Sequence, residues 1–208
     1  SAWMAFQSKI PKRIGYAVEY RGFLLTLAKK YDVKPRSKHL LKEYLDLLSF
    51  DIEMENYTPR LQVKNDWVEK QLDSCKFKIP EKFVVFSPGA IYGPSKQWPV
   101  EHYRELGKQL HKTFGHKILL LGTVDDIESG TKISHGHDWV YNYCGKTSLS
   151  QLLAILTKTQ LLVGNDSGSM HLMSALQRPQ IAVFGSTSPI WTGPINSNAM
   201  VMSRELSC

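Results

Sequence analysis

The sequence predicts an α/β fold, a Rossmann-like parallel sheet with helices on both faces. Two observations carry the prediction. From residue 82 onward, short apolar runs alternate with stretches of helical period, the signature of βαβ units. The apolar runs are also near-continuous in Val, Ile, Leu and Phe, as strands covered on both faces require.

The elements follow in order. FVVFSPG (83–89) reads as a buried strand and PVEHYRELGKQLHKTF (99–114) as an amphipathic helix with Pro99 at its first position. KILLLGT (117–123) is a second strand and DDIESGTKISHG (125–136) a short helix. WVYNYCG (139–145) and LSQLLAILTKTQ (149–160) repeat the pattern. LLVGND (161–166), SGSMHLMSALQR (167–178) and IAVFG (181–185) give strand, helix and fifth strand. Residues 1–81 lack this rhythm. HLLKEYLDLLSF (39–50) predicts a helix, with Leu40, Leu41, Tyr44, Leu47 and Leu48 close to one face. The stretch 51–81 is polar, is interrupted by Pro59 and reads as a connector. Three regions result: 1–50, the tail of another domain; 51–81, the connector; and 82–208, the α/β lobe.

Charge and cysteine usage narrow the function classes. The net charge of +7 favours anionic partners. Between Lys9 and Lys42 stand ten basic side chains against two acidic ones, Glu19 and Asp32. No aromatic RNA-binding motif or finger spacing accompanies them, so nucleic acid is not an expected partner. Cys75, Cys144 and Cys208 show neither CxxC nor zinc-ligand spacing, which fits packed thiols in a reduced, cytoplasmic setting. No apolar run is long enough to cross a bilayer, and the N-terminus lacks the order of a signal peptide.

In sheets of this kind ligands bind beyond the carboxyl ends of the strands, and there the sequence places three polar knots. The first, SPGAIYGPSKQWP (87–99), offers Gly89 and Gly93 for close backbone approach and Lys96 as a cation ahead of a helix. It fits neither GxxxxGK[ST] nor GxGxxG, and on its own it reads equally as a phosphate loop or a plain βα turn. The second, GTVDDIES, crowds Asp125, Asp126 and Glu128 at a helix start, either as caps or as acceptors for ribose hydroxyls. In the third, NDSGSMH, Asp166 or Ser167 can cap the next helix while the amides of Ser167, Gly168 and Ser169 face an anion. His171, on the first turn, faces either cleft or core. A Ser167–His171–Asp166 hydrolase is disfavoured, because GNDSG is not GxSxG and Ser167 is expected to use its hydroxyl on the cap. A nicotinamide dehydrogenase is disfavoured by the missing GxGxxG.

Taken together, PGAIYGPSKQWPVEHY, LLGTVDDIE, CGKTSL, GNDSGSMHLMSAL and RPQIAVFGSTSP resemble the bacterial ADP-heptose:lipopolysaccharide heptosyltransferases, their type II branch most closely. The opening IPKRIGYAVEYRGFLL looks like the end of that family's N-terminal lobe. The resemblance implies a GT-B fold whose C-terminal lobe, here 82–208 and incomplete, holds ADP-L-glycero-β-D-manno-heptose. It implies that Lys96 meets the donor phosphates and Asp126 the ribose. Gly145, Lys146 and Thr147 lie at the adenine, and Asp166, Ser167, Gly168 and His171 at the diphosphate and sugar. Ser87, Gly89 and Ala90 would line the same cleft. It further implies inversion without metal or other cofactor, and a lipopolysaccharide inner-core acceptor. The enzyme would be cytoplasmic, with peripheral contact at the inner membrane face. The general base belongs, by the same resemblance, to the N-terminal half, so this chain alone is expected not to turn over. Two further readings stay open: a GT-B enzyme using another nucleotide sugar, and an inactive nucleotide-binding fragment.

Overall fold

The computed structural model describes residues 2–31, 34, 36–48, 58–90 and 93–203. The chain divides into two compact units, Ser1–Tyr57 and Thr58–Cys208.

In the first unit, α1 (Ala2–Gln7) precedes β1 (Ile14–Tyr16), β2 (Leu27–Lys29) and α2 (Leu40–Leu47). The strands β1 and β2 pair in parallel. His39 caps α2, its Nδ1 accepting from the Leu41 N–H at 3.1 Å. The helix predicted over 39–50 is seen as far as Leu47, and residues 49–57 lie outside the described residues. At least three of the basic side chains hold backbone, Lys29 Nζ donating to the Asp46 carbonyl at 2.8 Å. Arg13 Nε donates to the Leu24 carbonyl at 2.7 Å, and Arg21 Nε to the Tyr16 carbonyl at 3.1 Å.

The second unit contains α3 (Asn65–Asp73), β3 (Phe83–Ser87), α4 (Val100–Phe114), β4 (Lys117–Leu120), α5 (Ile127–Ser134) and β5 (Val140–Asn142). These are followed by α6 (Leu149–Lys158), β6 (Leu162–Asn165), α7 (Gly168–Ala175), β7 (Gln180–Phe184), α8 (Pro189–Thr192) and β8 (Ala199–Ser203). One sheet of six parallel strands results, in the order β5-β4-β3-β6-β7-β8. Alternate residues of β3 serve opposite faces. Val84 and Phe86 pack with Tyr103 of α4 and Ile133 of α5, while Phe83 and Val85 pack with Ile155 of α6 and Met173 of α7. Burial on both faces is why β3 reads as an unbroken apolar run.

Three features differ from the sequence reading. The stretch read as connector, 51–81, contains α3, and the division between units falls at Tyr57–Thr58. Val68 is fully buried and Leu72 joins the core, while Glu69 pairs with Lys158 of α6 at 2.6 Å. A sixth strand, β8, forms by backbone pairing with β7 although Met200, Val201 and Met202 stay exposed. Pro99 stands before α4 as its cap residue, with ψ 140°, rather than at the first helical position.

The strand order reverses between β3 and β6. The crevice beyond their carboxyl ends is the place where sheets of this type hold ligands.

Candidate functional site

Ser87, the last residue of β3, is 4% exposed, and its Oγ lies 3.3 Å from Ser169 Oγ in the first turn of α7. The chain then runs through Pro88, Gly89 and Ala90 to a 3-10 turn, Pro94–Lys96. Lys96 Nζ reaches Asp166 Oδ2, just beyond β6, at 2.8 Å. Thr192 Oγ1 in α8 lies 3.4 Å from the same oxygen. The side chains of Lys96 and Asp166 are 16% and 7% exposed. Each charge is therefore largely withdrawn from water and compensated by the other, and removing Lys96 would leave the buried Asp166 carboxylate without this counter-charge.

Asp166 is turned to Lys96 and Thr192. Ser167 occupies the cap position of α7 but makes no side-chain cap bond; its backbone is extended, at φ −149° and ψ 170°. Among the described residues its buried Oγ has no hydrogen-bond partner. The expectation that this hydroxyl caps the helix is thus corrected. The helix start, with its positive dipole end, meets the crevice beside an unengaged hydroxyl.

Asp126 is 8% exposed, and its Oδ2 accepts from the Thr123 N–H at 2.7 Å and from Thr123 Oγ1 at 2.9 Å. A Cβ on Gly89 would stand 2.3 Å from Asp126 Oδ1, so only glycine permits this approach of the first loop to the second. The capping and site roles of Asp126 coexist: one oxygen closes the turn and the residue lines the crevice. Beside it Cys144 is buried, and its thiol is pushed up to about 12 by burial and then by the Asp126 charge. It is a packed, unreactive thiol.

The crevice is a cavity of about 900 Å³, within the range of small-molecule and cofactor sites. Ser87, Gly89, Ala90, Asp126, Gly145, Thr147, Ser167 and Gly168 line it together. Lys96 and Asp166 stand one residue from Gln97 and Ser167, which also line it. The Lys146 side chain turns back, its Nζ donating to the Asn142 carbonyl at 3.2 Å, while its backbone stands between the lining residues Gly145 and Thr147. His171 is exposed and is not among the lining residues. Sequence reading missed the apolar lining of the cavity, Val124, Leu149, Leu152 and Leu172. Leu149 and Leu152 fit the helical period of α6, so nothing in the pattern separates them from core. Among the described residues no group of three or more His, Cys, Asp or Glu could hold a metal ion.

Apolar side chains, the Asp126 carboxylate, hydroxyls and the start of α7 line one cavity, and the Lys96–Asp166 pair adjoins it, a combination suited to a nucleotide diphosphate. Over residues 1–208 the sequence matches the family described as glycosyltransferase family 9 (heptosyltransferase). Lipopolysaccharide heptosyltransferase 2 of Salmonella typhimurium is 34% identical over 217 residues, covering 97% of this chain and 61% of the relative. The Escherichia coli K12 protein of that name is 33% identical with the same coverage. The solved structure of E. coli ADP-heptose lipopolysaccharide heptosyltransferase II is similar with a TM-score of 0.87 at 30% identity, over 100% of this chain and 66% of that one. E. coli heptosyltransferase WaaC with ADP gives a TM-score of 0.64 at 25% identity, over 89% and 56%. The chain spans about three-fifths of the length of the curated relatives it matches.

Proposed function

Because this chain belongs to glycosyltransferase family 9, the heptosyltransferase family, we propose that it carries the donor site of an enzyme transferring heptose from ADP-L-glycero-β-D-manno-heptose to the lipopolysaccharide inner core. The observation that carries the reading is the pairing of Lys96 with Asp166 beside the uncapped start of α7 and the unengaged Ser167 hydroxyl. That combination supports a diphosphate site. The WaaC relative, solved with ADP, supports the choice of nucleotide.

In this reading the adenine lies against Val124, Leu149 and Leu152, near Gly145 and Thr147. Asp126 faces the ribose, and the diphosphate lies toward Ser167, Gly168 and Lys96. An acceptor hydroxyl attacks the anomeric carbon from the face opposite the phosphate, forming the new C–O bond with inversion. The bond from that carbon to the β-phosphate oxygen breaks, and its electron pair leaves with ADP. The hydroxyl proton passes to a base on the acceptor side, which we assign to no residue of this chain. Lys96 and the amides of α7 stabilise the charge that develops on the departing phosphate, the effect expected of preorganised donors in a sheltered site. The basic segment from Lys9 to Lys42 draws the enzyme to the acidic acceptor and to the cytoplasmic leaflet that displays it.

Calorimetric titration with ADP tests the site. The parent chain is expected to bind ADP more tightly than UDP. Lys96→Ala should weaken ADP binding roughly 10-fold to 100-fold, the scale of a lost hydrogen bond to a charged group. A folded parent that ignores ADP would overturn the assignment.

A further inference from the structure

Asn165, the last residue of β6, is fully buried and its side-chain amide is engaged at both ends. Its Nδ2 donates to the Pro88 carbonyl at 2.7 Å and approaches the Gly89 carbonyl at 3.5 Å. Its Oδ1 accepts from the Trp98 N–H at 3.0 Å and from the Tyr103 hydroxyl at 3.3 Å. The orientation is dictated by the partners, since a carbonyl can only accept and a backbone N–H can only donate. Tyr103 is itself fully buried, and burial pushes its hydroxyl well above the ordinary tyrosine range, so it stays a neutral donor.

One side chain thus pins both ends of the loop that leaves β3: residues 88–89 where it departs and residue 98 where it enters α4. Lys96 lies between the pins, and its partner Asp166 is the next residue after Asn165. The two strand-end residues divide the task. Asp166 holds the cation within the loop, and Asn165 holds the loop's two ends. We infer that Asn165 is a positioning residue, whose amide sets where Lys96 stands and so how well the crevice holds a diphosphate. The ligand part of this inference rests on the donor-site reading above; the placement of Lys96 does not.

Asn165→Asp is the informative change. It keeps the shape and the Oδ1 acceptor but replaces the donor with an oxygen that faces two carbonyls. Two measurements are made on the whole chain. The first needs no ligand: the rate at which Lys96 is acylated by an amine-reactive reagent, read by peptide mass spectrometry. Asn165→Asp should raise it roughly tenfold, the factor that about 1.4 kcal/mol represents, while the rates at Lys108 and Lys132 stay unchanged. An unchanged Lys96 rate overturns the inference. The second compares ADP with adenosine by calorimetry. The variant should lose roughly tenfold in ADP affinity, keep its adenosine affinity, and cause no further loss in a Lys96→Ala background. Equal loss of ADP and adenosine, or additive loss with Lys96→Ala, would mean a general structural role and overturn it. If the parent does not bind ADP, the donor-site reading fails, while the acylation rate still decides the role of Asn165. Should Asn165→Asp not fold, amide hydrogen exchange on the parent decides instead. The Trp98 amide should be protected to the level of the β6 amides, and exchange at the rate of exposed loop amides would overturn the inference.

Discussion

Gly168 opens α7, and a Cβ at this position would meet no heavy atom within 4 Å. Gly89 is the opposite case, because there a Cβ would collide with the Asp126 carboxylate at 2.3 Å. The fold therefore needs one glycine, and the other leaves open space beside the helix start, where the proposed diphosphate would lie. The two alanine variants should separate these reasons. Gly168→Ala is expected to leave thermal stability unchanged or raise it by up to about 1 kcal/mol, since alanine lowers the entropy of the unfolded chain at a compatible position. It should also weaken ADP binding roughly tenfold by crowding the diphosphate. Gly89→Ala should lower the melting temperature, because loop and carboxylate must part. An ADP affinity unaffected by Gly168→Ala would remove the diphosphate from this helix start.

At the scale of elements, the corner where α4, α5 and β5 meet contains a ring stack. Trp139 lies between His111, with centroids 4.7 Å apart, and His137, at 4.6 Å. Burial first, then the charges of Arg104, Lys108 and His135, hold the His137 imidazole below its ordinary 6.5, and only Asp138 pulls the other way. The unfolded chain therefore takes up this proton more readily than the folded one. By linkage, the contribution is fully present above about pH 6.5. It is lost as pH falls from there through the lower folded value. Thermal melts between pH 7.5 and 5 should show a smaller loss for His137→Gln than for the parent; equal losses would mean that other groups govern acid stability. This corner also shows what the sequence makes legible. Strands β3 to β7 are readable because burial on both faces demands continuous apolar runs, and α4 because its apolar period is long. β8 was not, because its side chains face solvent and only its backbone pairs. α3 was not, because only Val68 and Leu72 among its residues serve the core, inside a polar stretch that Pro59 already marks as broken. At the site, Lys96, Asp126 and Asp166 stand out as charges at strand ends. Asn165 does not, because an asparagine after an apolar run reads as an ordinary cap until its four partners, distant in sequence, are seen.

At the scale of the whole molecule, the two units carry different chemistry. Every residue lining the cavity, and the Lys96–Asp166 pair, belongs to Thr58–Cys208, as do the core clusters on both faces of the six-stranded sheet. The segment from Lys9 to Lys42, with its ten basic side chains, belongs to the other unit. Arg13 and Arg21 hold backbone carbonyls there, whereas Lys9 and Lys12 are exposed. Nucleotide binding and attraction to an anionic surface should therefore separate when the chain is cut between the units. Residues 58–208 alone are expected to fold and to bind ADP within about threefold of the whole chain, a difference below 1 kcal/mol. The whole chain should cosediment with vesicles of phosphatidylglycerol and phosphatidylcholine at low salt and be released by high salt, since attraction between exposed charges is screened. The shortened chain should cosediment less, because it lacks that cluster. Loss of ADP binding in a folded 58–208 protein would show that the first unit completes the donor site. Equal vesicle binding by both proteins would move the membrane-facing charge onto the nucleotide-binding unit.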